Sequence, residues 1–364
     1  MNRDRVLAAA GTFMTPVGVV EEEVLERNLA RMAGIASDHR VALRPHAKTH
    51  KSAEVARRQM AHGAVGLTAA TMIEAEVFAE AGVSDLLIAH PPVGRAKLGR
   101  LSALAGRVRR LAVSLDDLGV AESLPPAVEV LWEVDTGLHR IGTAPGSDTV
   151  TAVWRLVAAI GAPRFRGLIT HAGHAYAATN QEQRQGAANQ ETAGLIDTAE
   201  MLRAEGIEVR ERSVGSTPTA GLALRAGITE MRPGTYVYGD ANQVALGSQR
   251  LDDCALAVIA TVVSTPASDR VVVDAGSKAL SADLRVNGLD GYGIVLGHDR
   301  LTVARLSEEH AVLTAPDRSG LTIGDRVVIV PAHACTTVNL HPALLLVSPD
   351  GSARWQPVDA RGWR

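Results

Sequence analysis

The segment Arg44-Pro45-His46-Ala47-Lys48-Thr49-His50-Lys51 sets a lysine between two histidines, directly after a short apolar run. A partly dry, cationic setting favours the neutral amine of a lysine, which is the form that attacks a carbonyl to make a Schiff base. A solvated surface lysine is the plain alternative, and two other stretches weigh against it. Val214-Gly215-Ser216-Thr217-Pro218-Thr219 offers a glycine for close approach, hydroxyls, and a proline suited to a first helical turn. Arg232-Pro233-Gly234-Thr235 offers a second glycine with available backbone N–H groups. Either loop alone reads as a simple cap or turn; the two together read as a phosphate cradle. A last cluster, His333-Ala334-Cys335, follows the apolar run 327–330. On an extended chain residues i and i+2 share a face, so imidazole and thiolate could hold one ion, zinc first, with manganese or another divalent cation as alternatives. The plain reading is a buried pair. Two protein donors would leave such an ion open positions for water and substrate.

These residues need a scaffold that gathers them. Apolar runs at 41–44, 65–68, 86–89, 110–113, 128–133, 167–170, 209–213 and 231–238 alternate with amphipathic stretches such as 21–36, 52–62, 72–81 and 181–205. Eight β/α units in about 230 residues suit a TIM (β/α)8 barrel, although a doubly wound open sheet shows the same alternation. Beyond 247 the runs 255–263, 270–273, 293–296, 301–306, 311–313 and 326–331 follow one another without long helices. The reading is therefore an α/β barrel over 15–246, then an antiparallel β-domain over 247–364 to which residues 1–14 can contribute. In a barrel of this kind functional residues follow the C-terminal strand ends. His46 and Lys48 follow the first run, His90 the third, and Asp135 to Arg140 the fifth. His171 and His174 follow the sixth and Gly215 to Thr217 the seventh, while Gly234-Thr235 interrupts the eighth.

Composition narrows the field. The 364 residues exceed the roughly 250–300 at which one core stops growing, so two domains are expected. A net charge of −3 gives no ground for nucleic acid or a membrane surface as partner. No apolar run is long enough for a membrane span, and the first residues lack a signal-peptide core. Two cysteines, Cys254 and Cys335, exclude a disulfide framework and suit a cytoplasmic location.

The motifs above, together with Glu133-Val134-Asp135-Thr136-Gly137-Leu138-His139-Arg140, His171-Ala172-Gly173-His174-Ala175-Tyr176 and the extension of the Arg232 motif to Tyr236, resemble the D-threonine aldolase and D-serine dehydratase group. These are fold-type III pyridoxal-phosphate enzymes, distant relatives of alanine racemase, and the resemblance covers nearly the whole chain. It implies an alanine racemase-like barrel plus β-domain, usually a homodimer, acting on a small D-amino acid. It implies that Lys48 carries pyridoxal 5'-phosphate as a Schiff base and that Arg140 approaches the phenolic oxygen. Ser216, Thr217, Gly234 and Thr235 match the phosphate cradle, and either Arg232 or Tyr176 faces the pyridine nitrogen. His333 and Cys335 match a metal pair near the substrate's β-hydroxyl. The cofactor then serves as electron sink and the metal as Lewis acid. Retro-aldol cleavage of a D-3-hydroxy amino acid to glycine and an aldehyde stands first, with His46, His171 or His174 as base. The alternative is D-serine-type elimination to an oxo acid and ammonia, with Lys48 moving the proton. Cys335 is the departure, since many aldolases of the group carry Asp there. A racemase would need a second base, for which only Tyr292 offers itself, and a non-catalytic cofactor carrier would lack the β-domain.

Overall fold

Most of the apolar runs become strands, and the amphipathic stretches between them become helices. The computed structural model describes residues 1–283 and 285–362. Leu284, Trp363 and Arg364, within the span expected for the β-domain, lie outside the described residues. Contacts divide the chain into two units. One holds Arg31–Lys48 and Ala53–Gly234; the other holds Met1–Ala30, Thr49–Ser52 and Thr235–Gly362.

The earliest strand, β1 (Val17–Glu21), belongs to the second unit. The first unit is built on eight parallel strands: β2 (Ala42–Leu43), β3 (Leu67–Ala69), β4 (Asp85–Ile88), β5 (Arg110–Leu115), β6 (Glu129–Glu133), β7 (Phe165–Ile169), β8 (Glu211–Val214) and β9 (Glu230–Met231). Their order is β2-β9-β8-β7-β6-β5-β4-β3. The two ends of that sheet meet at one parallel bridge between His46 and Thr68. There Val65 N–H donates to Leu43 O and Thr68 N–H to Pro45 O, each at 2.9 Å. The sheet thus closes as a TIM-type barrel, and the open doubly wound alternative falls away. The eighth run ends as a strand at Met231, because Pro233 has no N–H for a ladder and the chain turns into a short 3-10 helix at Thr235–Val237.

Helix starts are fixed by side chains near the barrel mouth. Thr71 accepts from Glu74 N at 3.3 Å while the Glu74 carboxylate accepts from Ala70 N at 2.6 Å, a reciprocal cap on Met72–Glu80. Asn180 caps the long helix Gln181–Ala204 through Gln183 N at 2.9 Å.

The second unit carries β10 (Leu256–Ala267), β11 (Arg270–Val273), β12 (Gly293–Val295), β13 (Thr302–Leu306), β14 (Ala311–Thr314), β15 (Arg326–Pro331), β16 (Ala343–Val347) and β17 (Ala353–Pro357). With β1 they form one sheet, ordered β11-β14-β13-β12-β15-β10-β1-β16-β17. Its pairings are antiparallel except β1 with β16, which run parallel. Period-two alternation sends Val258, Ala260, Val327 and Ile329 into one apolar cluster and Ala257, Ile259, Val328 and Val330 into another. Both faces are buried there, which is why these runs read as continuously apolar. Among the described residues no helix is long and apolar enough to cross a membrane.

One buried ion cluster links barrel strands that are distant in sequence. Arg44, 2% exposed, gives Nη1 to Asp85 Oδ1 at 2.6 Å on β4 and Nε to Glu230 Oε2 at 2.7 Å on β9. Burial works against the guanidinium charge, but Glu230 and Asp85 outweigh it and raise the Arg44 pKa. Gly66 leaves the room, since a Cβ there would come within 2.4 Å of Arg44 Nη1. Removing Arg44 takes from Glu230 its 2.7 Å ion pair and leaves Asp85 only Arg109 and Arg110 at its other oxygen, so Arg44→Met is expected to cost about 3–5 kcal/mol in urea unfolding. A cost below about 1 kcal/mol, the range of an exposed ion pair, would show the cluster to be dispensable.

Candidate active site

A cavity of about 510 Å³ opens in the barrel unit, and its wall includes His46, Lys48, Glu133, Arg140, His171 and Arg232. That volume falls in the range of roughly 300–1,000 Å³ common for small-molecule sites. His90 and Lys97 line it as well. Four cationic side chains, Lys48, Lys97, Arg140 and Arg232, thus face one carboxylate, Glu133. A cavity so charged suits an anionic ligand.

The histidines are held in opposite tautomers. His171 Nδ1 lies 2.5 Å from Gly215 O, and a carbonyl only accepts, so Nδ1 carries the hydrogen and Nε2 keeps its lone pair. His46 Nδ1 instead accepts the Lys48 N–H at 3.4 Å, which places the hydrogen of a neutral ring on Nε2. Burial, then the charge of Lys48, hold both rings well below the ordinary histidine value. The wall therefore offers one neutral acceptor and one neutral donor.

Arg140 is presented by a tight loop. Asp135 Oδ1 accepts from Gly137 N and His139 N, both at 3.0 Å, and Asp116 Oδ2 accepts from Gly142 N at 2.7 Å. His139 takes a left-handed conformation, with φ 57°, to complete the turn. Arg232 is buried; its Nε donates to Ser213 Oγ at 2.8 Å and its Nη2 to Thr170 O. Burial lowers its pKa, while Glu133, Glu230 and Glu191 oppose that.

The loop after β8 packs on Arg232: a Cβ on Gly215 would meet the Arg232 side chain at 3.2 Å. Ser216 and Thr217 are buried in it. The expected helix at Pro218 is absent; residues 217–223 form successive turns, with Ala220 N–H on Ser216 O and Ala223 N–H on Thr219 O. Gly234 ends the barrel unit, and Thr235 opens the 3-10 turn of the second unit. His174 and Tyr176 sit in a 3-10 turn, Gly173–Ala177, and neither lines the cavity. His174 packs instead beside Gly137, where a Cβ would lie 3.3 Å from its ring.

In the second unit His333 and Cys335 do not lie on an extended chain as expected. His333 is the N-cap of helix Ala334–Leu340, and Cys335 sits in its first turn. Asp240, itself capping a short helix, accepts from Ala334 N at 3.0 Å and fixes that helix start. His333 Nδ1 pairs with Asp283 Oδ2 at 2.6 Å, and the ring also contacts Cys335. Burial opposes charge on His333, but Cys335 and Asp283 push its pKa up to about 11. Cys335 Sγ lies 3.1 Å from Thr49 Oγ1. Among the described residues no three His, Cys, Asp or Glu side chains are grouped to hold a metal.

The chain matches the family model "Alanine racemase, N-terminal domain" over residues 20–242, and "Putative serine dehydratase domain" over 255–347. It belongs to the alanine racemase-like, fold-type III family. It is 35% identical to D-threo-3-hydroxyaspartate dehydratase of Delftia sp. (strain HT23), over 97% of this chain and 98% of that one. The solved structure of that enzyme superposes with a TM-score of 0.88, covering 97% of this chain and 99% of that one. Solved variants of it replace by alanine a histidine and, two positions later, a cysteine; the cysteine variant is in a metal-free form. D-threonine aldolase of Arthrobacter sp is 33% identical over 96% of this chain and 93% of that protein. A D-threonine aldolase structure from Filomicrobium marinum gives a TM-score of 0.86 at 32% identity, covering 96% and 95%. The chain is thus a pyridoxal-phosphate-dependent lyase of this family, in the branch holding these aldolases and dehydratases.

The residues present fit the family's cofactor. The cation-rich wall complements its phosphate and phenolic oxygen, and Gly215 leaves room that a side chain would take from the loop lying against Arg232. The pair His333 and Cys335 also fits a divalent ion, because a carboxylate on one ring nitrogen is how metal-binding histidines are commonly oriented. Sequence reasoning missed Asp283, fifty positions from His333, for which no local signal exists. It also missed Glu191, although the buried positions Arg184, Ala187, Ala188, Leu195 and Leu202 mark the helix face that Glu191 shares.

The two neutral histidines carry a prediction. The unfolded chain takes up a proton on each as pH falls through 6.5, and the folded protein does not. Stability from these sites is therefore full above that value and declines below it. Histidine NMR should show both rings still neutral at pH about 5.5, a unit below the reference value; protonation of either ring near 6.5 would contradict the arrangement.

Proposed function

We propose that the chain removes water from a D-3-hydroxy amino acid, giving an oxo acid and ammonia, with a divalent metal, zinc or manganese, as helper. The single observation behind this choice is the His333-Ala334-Cys335 spacing, matched by the histidine and cysteine varied in the Delftia dehydratase, whose cysteine variant was solved in a metal-free form. Retro-aldol cleavage to glycine and an aldehyde is the second reading, favoured by the likeness to D-threonine aldolases.

When bound, pyridoxal phosphate supplies an electron sink for charge at Cα, and the metal polarises the β-oxygen as a Lewis acid. Lys48 is the cofactor's anchor and, once exchanged for the substrate amine, a proton carrier at Cα. Arg140 steadies the phenolic oxygen. Arg232, which lines the cavity where Tyr176 does not, is the partner of the pyridine nitrogen. Ser216, Thr217, Gly234 and Thr235 hold the phosphate. His333 and Cys335 hold the metal, with Asp283 orienting the imidazole. For the second reading a base must take the β-hydroxyl proton, and the Nε2 lone pair of His171 suits this better than His46, whose Nε2 carries hydrogen. His174 is set back from the cavity and suits it least. The active form in this reading is a homodimer.

Metal-loaded protein given D-threonine and D-serine should release ammonia and the matching oxo acids. Glycine and acetaldehyde from D-threonine, without ammonia, would replace elimination with retro-aldol cleavage. A chelator should stop turnover while the visible absorbance of the bound cofactor persists; loss of both together would make the metal structural. Separately, Lys48→Ala should leave no cofactor attached after borohydride treatment and mass analysis, and an adduct retained elsewhere would move the anchor to another residue.

A further inference from the structure

Glu191 lies midway along helix Gln181–Ala204 and is fully buried. Its two oxygens have different neighbours. Oε1 accepts the backbone N–H of Gly215 at 2.9 Å and that of Ala172 at 3.3 Å. Oε2 faces one hydroxyl, Thr219 Oγ1, at 3.0 Å, and that hydroxyl lies 2.8 Å from Ser216 Oγ. The carboxyl thus ties the loops after β7 and β8 together and starts a line of three oxygens that ends on Ser216.

Such a line has a direction. If Glu191 is ionised, Thr219 donates to it and Ser216 donates to Thr219, because lone pairs facing each other at hydrogen-bond distance repel. Ser216 then has only lone pairs left to offer. If Oε2 carries a proton, Glu191 donates to Thr219, the Thr219 hydrogen becomes available to Ser216, and the serine hydrogen is then free to point at an acceptor elsewhere. A phosphate accepts hydrogen bonds and needs donors around it. Resting on the reading of Ser216 and Thr217 as the phosphate cradle, we propose that Glu191 is a positioning residue that stays protonated and so turns Ser216 into a donor toward the cofactor phosphate. Burial acts in the same direction, pushing the Glu191 carboxyl up against the pull of Gly215 N–H, the Thr219 hydroxyl and Arg232. An ionised carboxyl three hydrogen bonds from the phosphate would also repel it.

Glutamine is the isosteric mimic of the protonated state. Its oxygen can accept both backbone N–H groups and its NH2 can donate to Thr219. The test compares phosphate preference: holoenzyme is dialysed free of cofactor and titrated spectrophotometrically with pyridoxal phosphate and with pyridoxal. Glu191→Gln should keep the ratio of the two affinities within about twofold, whereas Glu191→Ala and Thr219→Val should each lower it roughly tenfold or more, the loss of a hydrogen bond to a charged group. An infrared difference spectrum of wild type against Glu191→Gln should contain a protonated-carboxyl stretch. A Gln variant as weak as the Ala variant, or a spectrum with carboxylate bands alone, overturns the proposal. If Glu191→Ala does not fold, Thr219→Val and the spectrum still decide it. Ser216→Ala separates the two layers: no change in preference sinks the cradle reading itself. A loss with Ser216→Ala but none with Thr219→Val sinks only the role of Glu191.

Discussion

The barrel closes at the segment that also carries Lys48 into the cavity wall. Residues 44–47 bond on both sides: His46 N–H reaches Pro233 O at 3.0 Å beyond β9, and Ala47 N–H reaches Thr68 O at 2.8 Å on β3. Arg44 and His46 share a parity on that bonded stretch, and residues 47–50 then form turns, with Ala47 at 0% exposure and Lys48 in the cavity wall. Arg44 anchors the segment on Asp85 and Glu230.

The same constraint explains the charge pattern around the cavity. Arg232 follows the last barrel strand, next to the closure, and interacts with Glu133, Glu230 and Glu191, three acidic groups on different elements. Burial raises the carboxyls of Glu133 and Glu191 and lowers the Arg232 guanidinium, each away from its charged form. Carboxylates that are pushed toward neutrality balance the wall's cations poorly. An anionic ligand would supply charge opposite the cations of the wall.

Much of this was legible in the sequence because barrel strands impose a short, regular code. The eight apolar runs and the residues just past them, from His46 to Arg232, follow from the rule that one rim collects the chemistry. What escaped were features without local periodicity. Val17–Glu21 is a strand only because β10 and β16 flank it, and five residues running into a helix give no alternation to read. The His333 and Cys335 pair was visible as a pair, yet its geometry depends on a helix start fixed by Asp240, far away in sequence. Pro218 looked like a helix start, but the loop after β8 is held by Glu191 and stays as turns. In each case a long-range hydrogen bond outweighed the local preference.

Elimination and retro-aldol cleavage share the anchored cofactor, the electron sink and the polarised β-oxygen; they differ in which proton leaves first. A proton at Cα must be taken by a group beside the bound cofactor, the role proposed here for Lys48. A proton on the β-hydroxyl needs a separate acceptor. His171 has the right tautomer for that, and its Nδ1 bond to Gly215 O ties the ring to the loop after β8. A divalent ion held by His333 and Cys335 would supply a Lewis acid at the β-oxygen and so lower the need for that base. In the proposed reading the histidine tether and the sulfur donor act on different steps of the same reaction, loss of water.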